Sequence, residues 1–517
     1  MQIRQWADSG RTALILHPSG IQLTFAELEA RANRLAHHFR AAGLREGDTV
    51  AVLMENNEHM HAVMWAARRC GLYYATISTH LTAAEAAYIL ENSGATAIVG
   101  SAATRDVCAA LGSHLAGGLP ELRILAGGQL DGWQQYPDCV AHRPDGPIAD
   151  EREGDLLQYS SGTTGLPKGI RRELSHRSPQ DAGLLLAPLL TAAGIDSDSV
   201  YLSPAPLYHT APSFWSMSAQ ALGATVVMLE KFDPCGALEA IERYRVTHAQ
   251  FVPTMFVRML KLPEAVRAGY DVSSLRRVVH AAAPCPPEIK RQMLQWWGPI
   301  IDEFYGSSEG AGASYIRAQD WLAHPGSVGR PMGGAVHILG EDGAELPAGE
   351  PGEIYFEGGL PFSYLNDAAK TAATRNDRGW VTVGDIGYLD EDGYLYLTDR
   401  RHHVIISGGV NIYPQEAENL LISHPRVLDA AVFGIPDPAM GQSVTAVVQC
   451  VHPTDAGEDF AQELIAWLRD RLAAYKCPRS IAFEDVLPRT EAGKLRKQEL
   501  VQRYAAAVVS RPTDPPV

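Results

Sequence analysis

The chain has 517 residues, long enough for several domains, and at 46% hydrophobic and 20% charged it has the composition of a globular protein with a large core. Its 44 lysines and arginines against 60 aspartates and glutamates give a formal charge of −16, which argues against general nucleic-acid binding, since that needs a basic face to neutralise phosphates. The seven cysteines are scattered and never form a C-x-x-C pair, so neither a disulfide framework nor a zinc site is expected, and a reducing cytosol fits best.

Along the chain, the N-terminal stretch has only a short apolar run at 13–16, and no signal peptide is read there. "TVAVLM" at 49–54 predicts a strand, followed by an apolar-periodic helix over 59–72. The longest apolar stretch, 182–195, is too short to cross a bilayer and contains Pro188, so no transmembrane segment is expected. "ATVVML" at 224–229 precedes a helix near 238–244 and then "HAQFVP"; "RRVVHAAA" at 276–283 runs into a helix at 287–297 and then "IIDEFYG". Such alternation marks an α/β domain. Between 326 and 358, short runs divided by "GEDG" and "AGEPG" predict a small antiparallel β region. Near Asp399 the chain restarts, with a helix after Pro414, strands at "LDAAVFGI" and "VTAVVQC", and a helix whose Phe460, Leu464, Leu468 and Leu472 form one buried stripe. The tail "SRPTDPPV" is expected to be disordered. The expected architecture is a large N-terminal α/β domain, residues 1–399, followed by a smaller mobile α+β domain, 400–517, with a hinge at about 399–403.

The stretch "YSSGTTGLPKGI" at 159–170 has the makings of a phosphate-binding loop but not of the Walker type. Pro167 stands where the second Walker glycine belongs, and Gly169 where the magnesium-binding hydroxyl belongs. Glycines allow close backbone approach to phosphate, Ser160, Ser161, Thr163 and Thr164 offer hydroxyls, and Lys168 adds charge. The alternative is a Gly/Ser surface turn with a solvated lysine.

Four further motifs follow in order: "PLYHTAP" at 206–212, "YGSSEG" at 305–310, "VGDIGYLDEDGYLYLTDRR" at 383–401 and "LPRTEAGKLRK" at 487–497. Together with the loop they resemble the signature motifs of the adenylate-forming superfamily, in its acyl-CoA synthetase branch. The resemblance implies ATP-dependent activation of a small-molecule carboxylic acid to acyl-AMP, with Mg²⁺, and transfer to coenzyme A in the cytoplasm. The loop residues Ser160, Ser161, Gly162, Thr163, Thr164 and Gly165, with Lys168, would hold the leaving pyrophosphate. Glu309 would hold Mg²⁺ beside Ser308, which replaces the more usual threonine. Tyr305 would stack on adenine, Asp385 would accept from the ribose hydroxyls, and Arg400 would contact ribose or phosphate. Val383 departs from the usual threonine. Lys494 would reach in from the small domain to the reacting oxygens. His209 would form a wall or gate of the acid pocket rather than a base, because a carboxylate needs no deprotonation at pH 7, though a packed core histidine is an alternative. Gly408 and Gly409 resemble a glycine pair that the pantetheine arm of CoA passes.

No acidic residue appears in "YHTAPSFWSM", where amino-acid-activating members of the superfamily it resembles carry an aspartate for the substrate ammonium, so the resemblance argues against amino-acid substrates. Phe214, Trp215 and Met217, with Ala281, Ala282, Ala283, Ala311 and Ala313, suggest a roomy apolar pocket for a fatty, aryl or polycyclic acid. Two other readings stand beside this one: an adenylating enzyme that passes the acyl group to an amine or a separate transferase, and a nucleotide-binding pseudoenzyme. At the hinge, His402-His403 replaces the family's Asp or Lys followed by Asp. An imidazole with an ordinary pKa of about 6.5 is expected to make the swivel depend on pH between 6 and 8. The sequence does not specify the acid or the oligomeric state.

Overall fold

The computed structural model describes residues 3–160, 167–184, 186–490 and 493–509. The 49–54 segment forms the strand Thr49–Leu53, buried throughout, and the helix Met60–Arg69 after it buries every residue except Arg68. A helix buried on nearly all sides is one enclosed by other layers. The strand lies within a six-stranded parallel sheet ordered Gln134–Tyr136, Leu122–Ala126, Ala95–Ser101, Thr49–Leu53, Tyr73–Thr76 and Asp155–Leu156. Two buried polar contacts join this unit to the helix Thr210–Ala221: His61 to Ser216 Oγ at 3.1 Å, and Trp65 Nε1–H donating to Gln220 Oε1 at 2.9 Å.

A thirteen-stranded sheet carries the rest of the large unit. Its parallel centre runs Thr12–His17, Thr225–Leu229, Val200–Ser203, His248–Phe251, Arg277–His280 and Ile301–Gly306. At Ile301–Gly306 the direction changes, because that strand pairs antiparallel with Ala313–Ile316, which pairs with Ser327–Met332. The predicted antiparallel region therefore exists, as Ser327–Met332, Val336–Leu339 and Gly352–Phe356, but as a continuation of the main sheet and not as a separate layer. In open α/β sheets the crevice beyond the carboxyl ends of parallel strands receives ligands. Here Ile301–Gly306 delivers Tyr305 there, and Arg277–His280 delivers the segment 281–283.

Beneath that crevice, Lys290 Nζ donates to Glu303 Oε2 at 2.7 Å, with His280 Nε2 at 3.2 Å from the same oxygen. All three side chains are buried. Burial alone would raise the Glu303 pKa, but His280 and Lys290 hold it to about 2. Burial pushes His280 itself toward its neutral form, so the charge-bearing pair at neutral pH is Lys290–Glu303.

The strand Leu395–Arg400 ends the large sheet's return, and a short turn, Arg401–His403, leads into a five-stranded sheet built on the hairpin Val427–Asp437 and Gly441–Cys450. The helices Pro414–Ser423 and Glu458–Arg469 cover it. Phe460, Leu464 and Leu468 are buried as predicted, whereas Leu472 lies beyond the helix end and is half-buried. One apolar cluster holds Phe251 and Phe256 together with Leu421 and Val432, so the core is continuous across the turn. Lys261 Nζ fastens the two parts by donating to the carbonyls of His424 and Pro425 at 3.1 and 3.2 Å. Among the described residues, no helix is long and apolar enough to cross a membrane. The tail "SRPTDPPV" lies outside the described residues.

Candidate active site

Asp385 opens the strand Asp385–Leu389 directly opposite Arg400 on the neighbouring strand. Its carboxylate is buried and held at both oxygens: Tyr305 O–H donates to Oδ2 at 2.6 Å, and Arg400 Nε lies 3.1 Å from Oδ1. Burial first, and then the Asp385 charge, pushes the Tyr305 phenol well above its ordinary value, so it stays a donor. The aromatic ring, the acceptor and the guanidinium predicted for the nucleoside thus form one hydrogen-bonded group.

Glu309 follows four residues later along the same crevice. Its Oε1 accepts a hydrogen bond from Tyr364 O–H at 2.9 Å, while Oε2 has no partner among the described residues. Ser308 Oγ lies 3.0 Å from Thr210 Oγ1, which ties "YGSSEG" to the first turn of the helix Thr210–Ala221. The Tyr364 contact was not anticipated from the sequence: it comes from a strand 55 residues away and belongs to none of the five motifs.

His209 immediately precedes that helix in extended conformation. Its Nε2 is buried without a hydrogen-bond partner among the described residues, and burial, reinforced by Lys494 and His80, lowers its pKa to about 3. A neutral imidazole fits a pocket wall. Lys494 is within electrostatic reach of Arg400, Glu309 and Asp385 as well as His209. Burial, and next the Arg400 charge, lowers its pKa from the usual lysine value, while the two carboxylates pull upward. The residue nevertheless remains exposed to solvent. Its loop is seated on the large unit. Gly493 has φ +78°, and a Cβ there would lie 2.8 Å from Thr254 Oγ1.

Ser161, Gly162, Thr163, Thr164 and Gly165 lie outside the described residues. The flanks of that loop are a three-stranded sheet, in which Lys168 pairs with Ser160 and Ile170 pairs with Tyr364. Gly408 and Gly409 form the exposed two-residue tip of the hairpin Ile405–Ser407 and Val410–Ile412, with φ of 59° and 79°. Positive φ at both positions is what a type I′ hairpin turn requires, a reason for glycines independent of any ligand.

Two expectations are corrected. Trp215, Met217, Ala281 and Ala311 are packed in apolar core clusters or fully enclosed and do not face an open pocket, whereas Phe214, Ala283 and Ala313 stay half-buried and Ala282 exposed. Trp215 is held between Tyr201 and Phe304, ring centroids 6.4 and 5.8 Å away. In the turn Arg401–His403, burial followed by His403 and Arg400 lowers the His402 pKa to about 4. In this arrangement the residue is neutral throughout pH 6–8 and does not titrate there.

The model of the AMP-binding enzyme family matches residues 3–363, and that of the AMP-binding enzyme C-terminal domain matches 416–494. A feruloyl-CoA synthase from Amycolatopsis sp is 36% identical over 506 residues, covering 97% of this chain and 98% of its own. Among solved structures, ATP-bound MatB from Rhodopseudomonas palustris has a TM-score of 0.81 at 27% identity, over 98% of this chain and 100% of that one. The amide bond synthetase McbA from Marinactinospora thermotolerans has a TM-score of 0.81 at 29% identity, over 97% and 99%. With both family models matched in order and relatives similar over nearly their whole length, the chain belongs to the AMP-binding enzyme family, within the adenylate-forming superfamily that its motifs resemble.

Proposed function

We propose that this chain is an AMP-forming acid–thiol ligase of the cytoplasm, which converts a bulky hydrophobic carboxylic acid to its acyl-adenylate and then to a coenzyme A thioester. The observation that carries the proposal is that Lys494 lies within electrostatic reach of Arg400, Glu309 and Asp385, of which Arg400 and Asp385 are paired at 3.1 Å. In the first half-reaction a carboxylate oxygen attacks the α-phosphorus of ATP, and pyrophosphate leaves with the electrons of the broken P–O bond. Both partners are anions, so the Lys494 ammonium lowers the barrier by bridging them. Asp385 exchanges its Tyr305 and Arg400 contacts for the ribose hydroxyls, and the Tyr305 ring packs on adenine. The loop 160–165 and Lys168 hold the pyrophosphate end.

The donor set fits magnesium: a carboxylate oxygen of Glu309 without a partner among the described residues, near the hydroxyls of Ser308 and Thr210, offers the hard oxygens that this ion takes. When bound, the ion supplies charge neutralisation of the polyphosphate, and Glu309 holds it. In the second half-reaction the CoA thiol attacks the acyl carbonyl and AMP leaves. Residues 400–517 then act as a mobile domain turning about 399–403, past a pantetheine arm at Gly408 and Gly409.

Neutral His209, Phe214, Ala283 and Ala313 form the apolar wall, and the helix Thr210–Ala221 carries no acidic side chain to receive a substrate ammonium. Likeness to a feruloyl-CoA synthase supports an aryl or similarly bulky acid. Likeness to an amide bond synthetase supports a second reading, transfer of the acyl group to an amine. A panel of fatty, aryl and polycyclic acids, followed by pyrophosphate release with CoA, with amines or with neither, separates them. A thioester as the CoA-dependent product supports the ligase; pyrophosphate release that yields amide and no thioester rejects it.

A further inference from the structure

We propose that Tyr364 is a positioning residue for Glu309, fixing which oxygen of that carboxylate faces the magnesium–nucleotide complex and coupling it to the strand Lys168–Arg171. The inference rests on the metal role assigned to Glu309 above. The Tyr364 phenol donates to Oε1 at 2.9 Å and leaves Oε2 without a partner among the described residues, so the carboxylate presents one oxygen in a set orientation. Carboxylates that ligate metals are commonly held by such a second hydrogen bond.

The phenol is itself fixed from several sides. Tyr364 N–H donates to Thr371 Oγ1 at 2.9 Å, and the Lys370 ammonium lies 4.7 Å from the centre of its ring. The strand Ser363–Tyr364 pairs Tyr364 with Ile170, two residues beyond Lys168, and Leu365 N–H donates to the Gly169 carbonyl at 2.8 Å. On the other side, Leu360 N–H donates to the Gly310 carbonyl at 2.9 Å, and Gly359 approaches Ala311 so closely that any Cβ would collide with its backbone. One segment, 359–365, therefore touches both the residue after Glu309 and the strand leaving the phosphate loop. Displacement of that strand moves Tyr364, and through it Glu309.

The test is Tyr364→Phe, which keeps the ring, its packing and the lysine contact but removes the donor. Binding of a non-hydrolysable ATP analogue is followed by calorimetry at increasing Mg²⁺ for wild type, Tyr364→Phe and Glu309→Gln, after thermal melting of the three free proteins. The expected result is an apparent Mg²⁺ half-saturation about 10-fold higher in Tyr364→Phe, with turnover recovering as magnesium is added and an unchanged melting temperature. A merely structural role would lower the melting temperature and leave the magnesium dependence alone. An unmoved magnesium curve in Tyr364→Phe, with a moved one in Glu309→Gln, overturns the positioning role only. An unmoved curve in Glu309→Gln overturns the metal assignment, and the inference with it.

Discussion

Gly493→Ala should slow adenylation selectively. The glycine has φ +78° and leads into Lys494, and its loop rests against Thr254 of the large unit. An L-residue held in the left-handed region costs about 1–2 kcal/mol. The added Cβ also lies 2.8 Å from Thr254 Oγ1 and 3.4 Å from its Cγ2, so Thr254 must shift. A released loop relaxes both penalties, and they therefore fall on the docked arrangement. A cost of about 1–2 kcal/mol depletes it by a factor of roughly 5–30. Single-turnover pyrophosphate release should fall by that factor, while thioester formation from synthetic acyl-adenylate stays within about twofold. Adding Thr254→Ala removes the overlap but not the backbone strain, so it should restore part of the rate and no more. Equal slowing of both half-reactions, or full activity in Gly493→Ala, would refute docking of this loop as the step at issue.

Lys290→Met strands the Glu303 carboxylate and should destabilise the fold by about 3–5 kcal/mol in denaturant unfolding, with Glu303→Gln recovering much of it. Because the Glu303 pKa is depressed to about 2 from 4.5, its contribution is complete above pH 4.5 and is lost as pH falls toward 2; wild-type stability should drop more steeply over that window than that of Lys290→Met. Asp385→Asn should raise the ATP KM by weakening both the ribose contact and the Arg400 ion pair, with a smaller effect on kcat; a purely kcat effect in steady-state kinetics would count against it. His402 is held to about 4 in the docked arrangement and returns toward 6.5 if released, so protons favour release. The ratio of thioester to adenylation rates should be flat from pH 7 to 8, rise as pH falls below 6.5, and lose that rise in His402→Asn; a ratio that changes between pH 7 and 8 would contradict the assignment.

Much of the fold was legible because its signals are local. The apolar strand at 49–53, the apolar-periodic helix after it and the four-residue spacing of Phe460, Leu464 and Leu468 follow from local pattern alone. The thirteen-stranded sheet was not legible, because nothing local says that Ala313–Ile316 should reverse direction beside Ile301–Gly306 and carry the sheet onward. The site divides the same way. Tyr305, Glu309, Asp385 and Lys494 are marked by their motifs, and Tyr305, Asp385 and Arg400 hold one another, but two supporting partners lie outside every motif: Tyr364 on Glu309 and Thr254 beneath Gly493. Burial misled where large apolar residues were read as pocket lining, since Trp215 and Met217 fill the core instead. It also displaced the titration expected of His402, which composition could not foresee.

The most direct test is acid-dependent exchange of labelled pyrophosphate into ATP by wild type and Lys494→Ala, with thioester formation from synthetic acyl-adenylate measured on the same preparations. The account predicts exchange with hydrophobic acids in the wild type, none in Lys494→Ala, and thioester from the supplied adenylate in both. Exchange that persists in Lys494→Ala, or a wild type that makes no thioester from its own adenylate, would contradict it.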